Sequence, residues 1–269
     1  MTDTAIAIFH GLGDCVNATT LLHPLKKKYP NSKIIWITAE CYAPLTEHNP
    51  LISHTIKISG NPYAADNQYQ SLKQKYKHLI IPAPYLNPLS KDNTLLGSFK
   101  EQIRRHTGNT KLFEPQMYLT KEEVHQTESW LATRKIKDFV MLETNYTSHQ
   151  SNWKNKHTIE ALKFFAKKNL TVILTHRSDK KIVEYNTICD TYCMDMSFRM
   201  APILYNRSKG FVGVSSGISC VCHTNQCRKD IPHLEFVRGE HWCTKLYQKQ
   251  NKVISFDANQ LGQLLIQMF

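Results

Sequence analysis

Short apolar runs alternate with helix-like stretches along this chain, and the rhythm stops once and restarts. A run of four to six apolar residues bounded by turn residues suits a strand buried on both faces. Strand-helix-strand alternation then implies the parallel pairing of an α/β sheet. The first series reads as strand 5–9 (AIAIF), helix 14–28, strand 33–38 (KIIWIT), a short helix or loop at 41–50, strand 54–59 (HTIKIS), a polar helix at 66–77 and strand 78–83 (HLIIPA). A Pro-, Asn- and Ser-rich stretch at 82–98 reads as a long loop, a class of segment often functional in compact domains. Thr120 and Glu123 then make a capping box for a helix, with the join near 115–121. The second series has strand 138–143 (DFVMLE), helix 158–168, strand 171–176 (TVILTH), a helix near 179–191, strands 210–214 (GFVGV) and 252–256 (KVISF), and a terminal helix at 258–269. The expectation is two stacked Rossmann-like domains, residues 1–119 and 120–269, with the terminal helix able to pack back on the N-terminal domain.

No run of about 18 apolar residues exists, so no membrane span is expected. The N-terminus goes directly into a strand without the basic-then-apolar pattern of a leader, and the chain reads as cytoplasmic. Its formal charge of +12 is spread over both halves. A solvated lysine-rich surface and an anionic partner (a nucleotide, an acidic glycolipid at a membrane surface, or nucleic acid) both fit that charge. The 8 cysteines of such a chain are expected as free thiols. The cluster CVCHTNQCRKDIPH (220–233) has C-x-C-x4-C spacing and lacks the paired C-x2–4-C of common zinc sites, so no metal and no cofactor are expected.

The turn after the first strand is Gly11-Leu12-Gly13-Asp14. It matches only the first half of a dinucleotide G-x-G-x-x-G fingerprint, because Val16 occupies the third glycine position. Asp14 would also set a negative charge where a pyrophosphate would sit. Two readings stay open: a first-turn carboxylate that stabilises the helix dipole, or a base that Gly11 and Gly13 leave facing a cleft, ready to take a proton from a substrate hydroxyl.

The second half carries the complement. GVSSGIS (213–219) follows a strand and opens a helix, with Ser215, Ser216, Gly217 and Ser219 able to approach an anion. NYTSHQSNWKNKHT (145–158) follows another strand and supplies Thr147, Ser148 and Ser151, with Lys154 and Lys156 nearby. These residue types suit a diphosphate held without a metal at the carboxyl ends of the strands. In RGEHWCTKLY (238–247), Arg238 and Trp242 are types enriched in recognition sites and are candidate acceptor contacts, beside Gly11 and Gly13.

The stretch GLGDCVNATTLLHPLKKKYP…APLTEHNPLISHTI (11–56) resembles the N-terminal signature of the heptosyltransferase-like glycosyltransferases, glycosyltransferase family 9. In that family a G-x-G-D turn precedes a helix, a strand and a segment of the form APLxExNPxI. MYLTKEE (117–123) is similar to the family's interdomain join, and RSKGFVGVSSGISCVCHT (207–224) to its donor loop FVGxDSGxxHxxA. The resemblance implies a GT-B fold, two Rossmann-like domains with parallel sheets facing an interdomain cleft. It further implies a nucleotide-diphospho-sugar held by the C-terminal domain and inverting, metal-independent transfer to an acceptor hydroxyl. Asp14 matches the family's general base, Ser216 and Gly217 its donor-loop Ser-Gly, and Trp153 the Trp after its phosphate-binding Thr and Lys. Ser215 stands where the motif has Asp, Cys220 where it has His, and Ser151 where the Lys would fall.

The leading expectation is a transferase acting on a surface glycan or glycolipid of lipopolysaccharide type, peripheral to the inner membrane face. One alternative is a DNA glycosyltransferase acting on a flipped, hydroxymethylated base, which the positive charge of both halves would suit. Another is a degenerate, non-catalytic nucleotide-sugar-binding protein. A nucleotide-binding oxidoreductase is disfavoured by the broken glycine fingerprint.

Overall fold

The computed structural model describes residues 3–9, 11–59, 66–82, 101, 104–108, 113–145, 151–176, 181–238, 252–255 and 257–269. The chain divides into two compact units, Met1–Leu119 with His223–Gln226, and Thr120–Cys222 with Cys227–Phe269.

The first unit holds strands β1 (Thr4–Ile8), β2 (Ile34–Ala39), β3 (His54–Ile58) and β4 (His78–Ile80), all parallel in the order β3-β2-β1-β4. β1 is buried at every position, as an inner parallel strand must be, whereas β3 exposes His54 and Lys57 at the sheet's edge. Helices α1 (Leu12–Ala18), α2 (Leu22–Lys28) and α3 (Asp66–Lys75) belong to this unit. The single helix expected over 14–28 is divided by a 3-10 turn at Thr19–Leu21. Pro24 has no amide to donate to the Thr20 carbonyl, so the α-helical ladder cannot run through unbroken. Ala5, Ala7, Phe9, Ile37 and Leu72 form a core cluster here.

The second unit is a parallel sheet of β5 (Phe139–Glu143), β6 (Thr171–Leu174), β7 (Thr191–Cys193), β8 (Phe211–Val214), β9 (His233–Phe236) and β10 (Lys252–Ser255). The strand order is β10-β9-β8-β5-β6-β7. Helices α4 (Lys121–Thr133), α5 (Asn155–Lys167), α6 (Ile182–Asn186), α7 (Ala201–Arg207), α8 (Gly217–Val221) and α9 (Leu261–Met268) complete it. α9 packs on α5, and the Phe269 ring lies 5.4 Å from Phe165, so the terminal helix is part of this unit's own core.

Two strands were not expected. β7 is three residues, and its start at Thr191 cuts the helix read near 179–191 down to α6. β9 carries His233 and Glu235, which read as polar, yet both are wholly buried while Leu234 and Phe236 join the main core. The His233 ring stacks on Phe211 at 4.4 Å. The expected 82–98 loop lies outside the described residues apart from Pro82.

The capping box holds in full. Thr120 Oγ1 accepts from the Glu123 amide at 3.1 Å, and the Thr120 amide donates to Glu123 Oε2 at 2.8 Å. The same carboxylate receives Arg199, whose side chain is buried. Burial raises the Glu123 pKa, but the Arg199 and Thr120 hydrogen bonds outweigh it and hold the group below the usual carboxylate value.

In each sheet the chain leaves an inner strand to one side and later returns to the other. The reversal falls between β1 and β4 in the first sheet and between β5 and β8 in the second. Ligands of open α/β sheets bind outside the carboxyl ends of the strands at such switch points.

Candidate functional site

At the first switch point, β1 runs into α1 through Gly11, whose φ of 42° and ψ of 136° suit glycine and strain any other residue. Gly11 is the N-cap and supplies no side-chain cap, so Leu12, Gly13 and Asp14 form the first helical turn. Gly13 therefore lies inside the helix and only Gly11 makes the bend. The Asp14 carboxylate folds back toward Gly11, where an added Cβ would meet Asp14 Oδ2 at 3.3 Å. Beside it Cys15 is fully buried, with Sγ 3.6 Å from Thr38 Oγ1. Burial, with the Asp14 charge adding to it against the Thr38 hydrogen bond, pushes the thiol far up. A thiol held protonated is a poor nucleophile. Asp14 itself is half-buried.

At the second switch point, Ser216 caps α8. Its Oγ accepts from the amides of Ile218 at 3.1 Å and Ser219 at 3.2 Å, and its hydroxyl donates to Glu143 Oε2 at 3.1 Å. Ser219 Oγ accepts from the Ser216 amide at 2.9 Å and lies 2.8 Å from the Ser216 carbonyl. Ser215 is buried, its amide bonded to the Phe236 carbonyl. The serines that suggested an anion loop are thus used to build the turn. Gly217, the first residue of α8, follows the cap.

Next to this turn a recess of about 240 Å³ opens at the carboxyl ends of β5 and β6. Thr144 and Asn145 line it after β5, His176 after β6, Trp153, Lys154, Asn155 and Thr158 from the start of α5, and Lys181 and Tyr185 from α6. Full ligand sites run to roughly 300–1,000 Å³, so this volume suits part of a nucleotide. Its floor is fixed. Trp153 Nε1 donates to Thr158 Oγ1 at 2.9 Å and its ring packs 5.3 Å from Phe236. Tyr185 Oη donates to Asn155 Oδ1 at 2.7 Å, and burial with the Glu184 charge pushes the phenol up, so it stays a donor. His157 Nδ1 accepts the Lys154 amide at 2.9 Å, and burial lowers its pKa, so the ring serves as a neutral cap for α5. Thr144, Asn145 and His176 also line the recess, and its charged groups are cationic: Lys154, Lys181 and the amino end of α5.

Of the donor residues read from sequence, the structure brings Lys154 into the recess. Ser151 is buried beneath it, its Oγ accepting the Trp153 amide at 3.2 Å. Thr147, Ser148 and Trp242 lie outside the described residues, and Arg238 is exposed after β9. Thr144, Asn145, His176 and Lys181 were missed, although Thr144, Asn145 and His176 follow directly on strands, where the switch-point rule directs attention. Glu143 was also missed. It ends β5, is only 2% exposed, and accepts the Asn145 amide at 2.8 Å with His176 Nδ1 at 3.5 Å. Cys220, Cys222 and Cys227 are buried thiols, and Cys227 Sγ points at the Val221 carbonyl. His233 Nε2 lies 3.7 Å from Glu235 Oε2, both side chains fully buried.

No protein-family model matches the chain, and no curated protein matches it in sequence. Solved structures do match. A glycosyl transferase family 9 protein from Veillonella parvula DSM 2008 superposes with a TM-score of 0.72 at 11% identity, covering 99% of this chain and 96% of that one. The E. coli ADP-heptose lipopolysaccharide heptosyltransferase II gives 0.68 at 15%, covering 99% of each chain. The E. coli heptosyltransferase WaaC with ADP-2-deoxy-2-fluoro heptose gives 0.63 at 13%, again over 99% of each. Two parallel α/β sheets, matched to these enzymes over nearly the whole chain, give this protein the GT-B glycosyltransferase fold.

Proposed function

We propose that this protein is a glycosyltransferase that moves a sugar from a nucleotide-diphospho-sugar to an acceptor hydroxyl, with inversion at the anomeric carbon. The observation that carries this reading is the cationic recess at the carboxyl edge of the second sheet, beside the β5–β8 switch point. An ADP-sugar is the first donor to test, because solved structures of this fold hold ADP or an ADP-heptose analogue. Lys154 and Lys181 with the amino end of α5 take up the diphosphate's charge as the bond to the sugar breaks, without calling on a bound metal. Asp14 is assigned as the base that accepts the hydroxyl proton while the acceptor oxygen forms its bond to the anomeric carbon. A surface glycan or glycolipid is the assigned acceptor, its negative charge met by the chain's +12.

The test is a thermal-shift panel of ADP, UDP, GDP and CMP and their sugars. Selective stabilisation by one nucleoside diphosphate is expected through linkage. A panel in which nothing shifts the melt would overturn the donor reading. The same positive charge would suit a nucleic-acid acceptor, and unchanged mobility of duplex DNA at low salt would dismiss that alternative.

A further inference from the structure

A buried acid costs several kcal/mol unless hydrogen bonds and charge offset it, so Glu143 at the end of the apolar strand FVMLE calls for an explanation. Its contacts come from three different strand ends. The Asn145 amide, just after β5, donates to Oε1 at 2.8 Å, and the hydroxyl of Ser216, after β8, donates to Oε2 at 3.1 Å. His176, after β6, sets Nδ1 3.5 Å from Oε1. Since β5 lies between β8 and β6, this carboxylate sits beneath the switch point and touches the loop on either side. The backbone opposite is shaped to it: Gly213 pairs with Glu143 across the ladder, and a Cβ on Gly213 would stand 2.2 Å from the Glu143 carbonyl oxygen. At 2% exposure Glu143 has no surface to offer a substrate, so it acts only through what it holds.

We propose that Glu143 is the positioning residue of the nucleotide face, one buried carboxylate that sets the α8 mouth at Ser216, the Asn145 backbone and the His176 edge of the recess in a single geometry. This rests on the donor reading given above. Ser216 shows why a carboxylate is needed. Both lone pairs of its oxygen hold amides of α8, so its proton needs an acceptor, and the two oxygens of one carboxyl group serve Ser216 and the Asn145 amide at once. In Glu143→Gln the carboxamide oxygen satisfies one of these partners and its NH2 confronts the other. The volume is unchanged, but the two loops can no longer be held together.

The experiment compares the full chain with Glu143→Gln, Ser216→Ala and the double variant, measuring calorimetric Kd for ADP, UDP, GDP and CDP beside a thermal melt. Wild type is expected to bind one of these. Glu143→Gln, melting cooperatively, is expected to bind it about tenfold more weakly or worse, as for loss of a hydrogen bond to a charged group. The double variant is expected to bind no more weakly than the poorer single variant, because both remove the same link. A folded Glu143→Gln that binds as wild type, with only its melt lowered, makes the residue structural and overturns the proposal. If Glu143→Gln does not fold, Ser216→Ala decides, and unchanged affinity there overturns it equally. Should wild type bind none of the four, the donor reading fails and takes this inference with it. Binding by wild type with full binding by the variants sinks this inference alone.

Discussion

The two switch points of the molecule stand in the same topological position and are built in opposite ways. At the end of β1 the bend is made by backbone alone: Gly11 takes a positive φ, no side chain caps α1, and a half-buried acid sits in the first turn. At the ends of β5 and β8 the bend is made by side chains: Ser216 and Ser219 cap α8, and a fully enclosed acid lies underneath. The first turn carries the half-buried Asp14, and the second is backed by the buried Glu143 and Glu235, the latter receiving Ser219 Oγ at 3.2 Å. Asp14 is half-buried, whereas Glu143 is enclosed with a hydrogen bond on each oxygen. A carboxylate near a substrate edge is therefore not by itself a candidate base; its hydrogen bonds decide.

Four perturbations bear on this contrast, from the largest expected effect to the smallest. Asp14→Asn should lower sugar transfer by about 100-fold or more, the scale of general-base loss, while costing at most about 1 kcal/mol of helix-dipole stability. Product formation and a thermal melt measure the two, and full turnover in this variant would reverse the roles assigned to the two acids. Gly213→Ala drives a Cβ into backbone and should destabilise by about 3 kcal/mol, at the upper end of overpacking costs. Gly11→Ala, strained in φ but with only the Asp14 carboxylate to displace, should cost about 1–2 kcal/mol. Urea unfolding ranks these two, and the reverse order would show that the backbone-built turn is the tighter. Ser216→Ala should lose about 1 kcal/mol as a helix cap, again by urea unfolding, and no equivalent loss is available at α1.

The smallest effect lies away from both turns. The Glu123 pKa is lower folded than unfolded, so its contribution is full above the ordinary carboxylate value and is lost as pH falls through the folded one. Glu123→Gln should flatten the acid limb of stability against pH, and an unchanged limb would assign the acid sensitivity to other carboxylates.

Much of the fold was readable because parallel strands buried on both faces must be apolar runs: TAIAI, IIWITA and FVMLE announce themselves. The Thr120–Glu123 box was readable because capping is a local, four-residue event. HLEF and TYC were not, since a strand of three or four residues has too little pattern and β9 tolerates His233 and Glu235 only because neighbouring strands enclose them. At the site, Lys154 and the two turns were legible. The commitment of the serine hydroxyls was not, because it depends on an acid 73 positions away in sequence.

By itself the sequence determined the long apolar strands, the restart of the α/β rhythm and the acid at Gly11-Leu12-Gly13-Asp14, since all of these follow from periodicity and nearest-neighbour geometry. Only the tertiary structure decided which polar residues face a ligand and which hold the loops. That choice is made by strand order: setting β5 between β8 and β6 brings Ser216, Asn145 and His176 onto one carboxylate and turns Glu143 from an oddity at a strand's end into the centre of the second switch point.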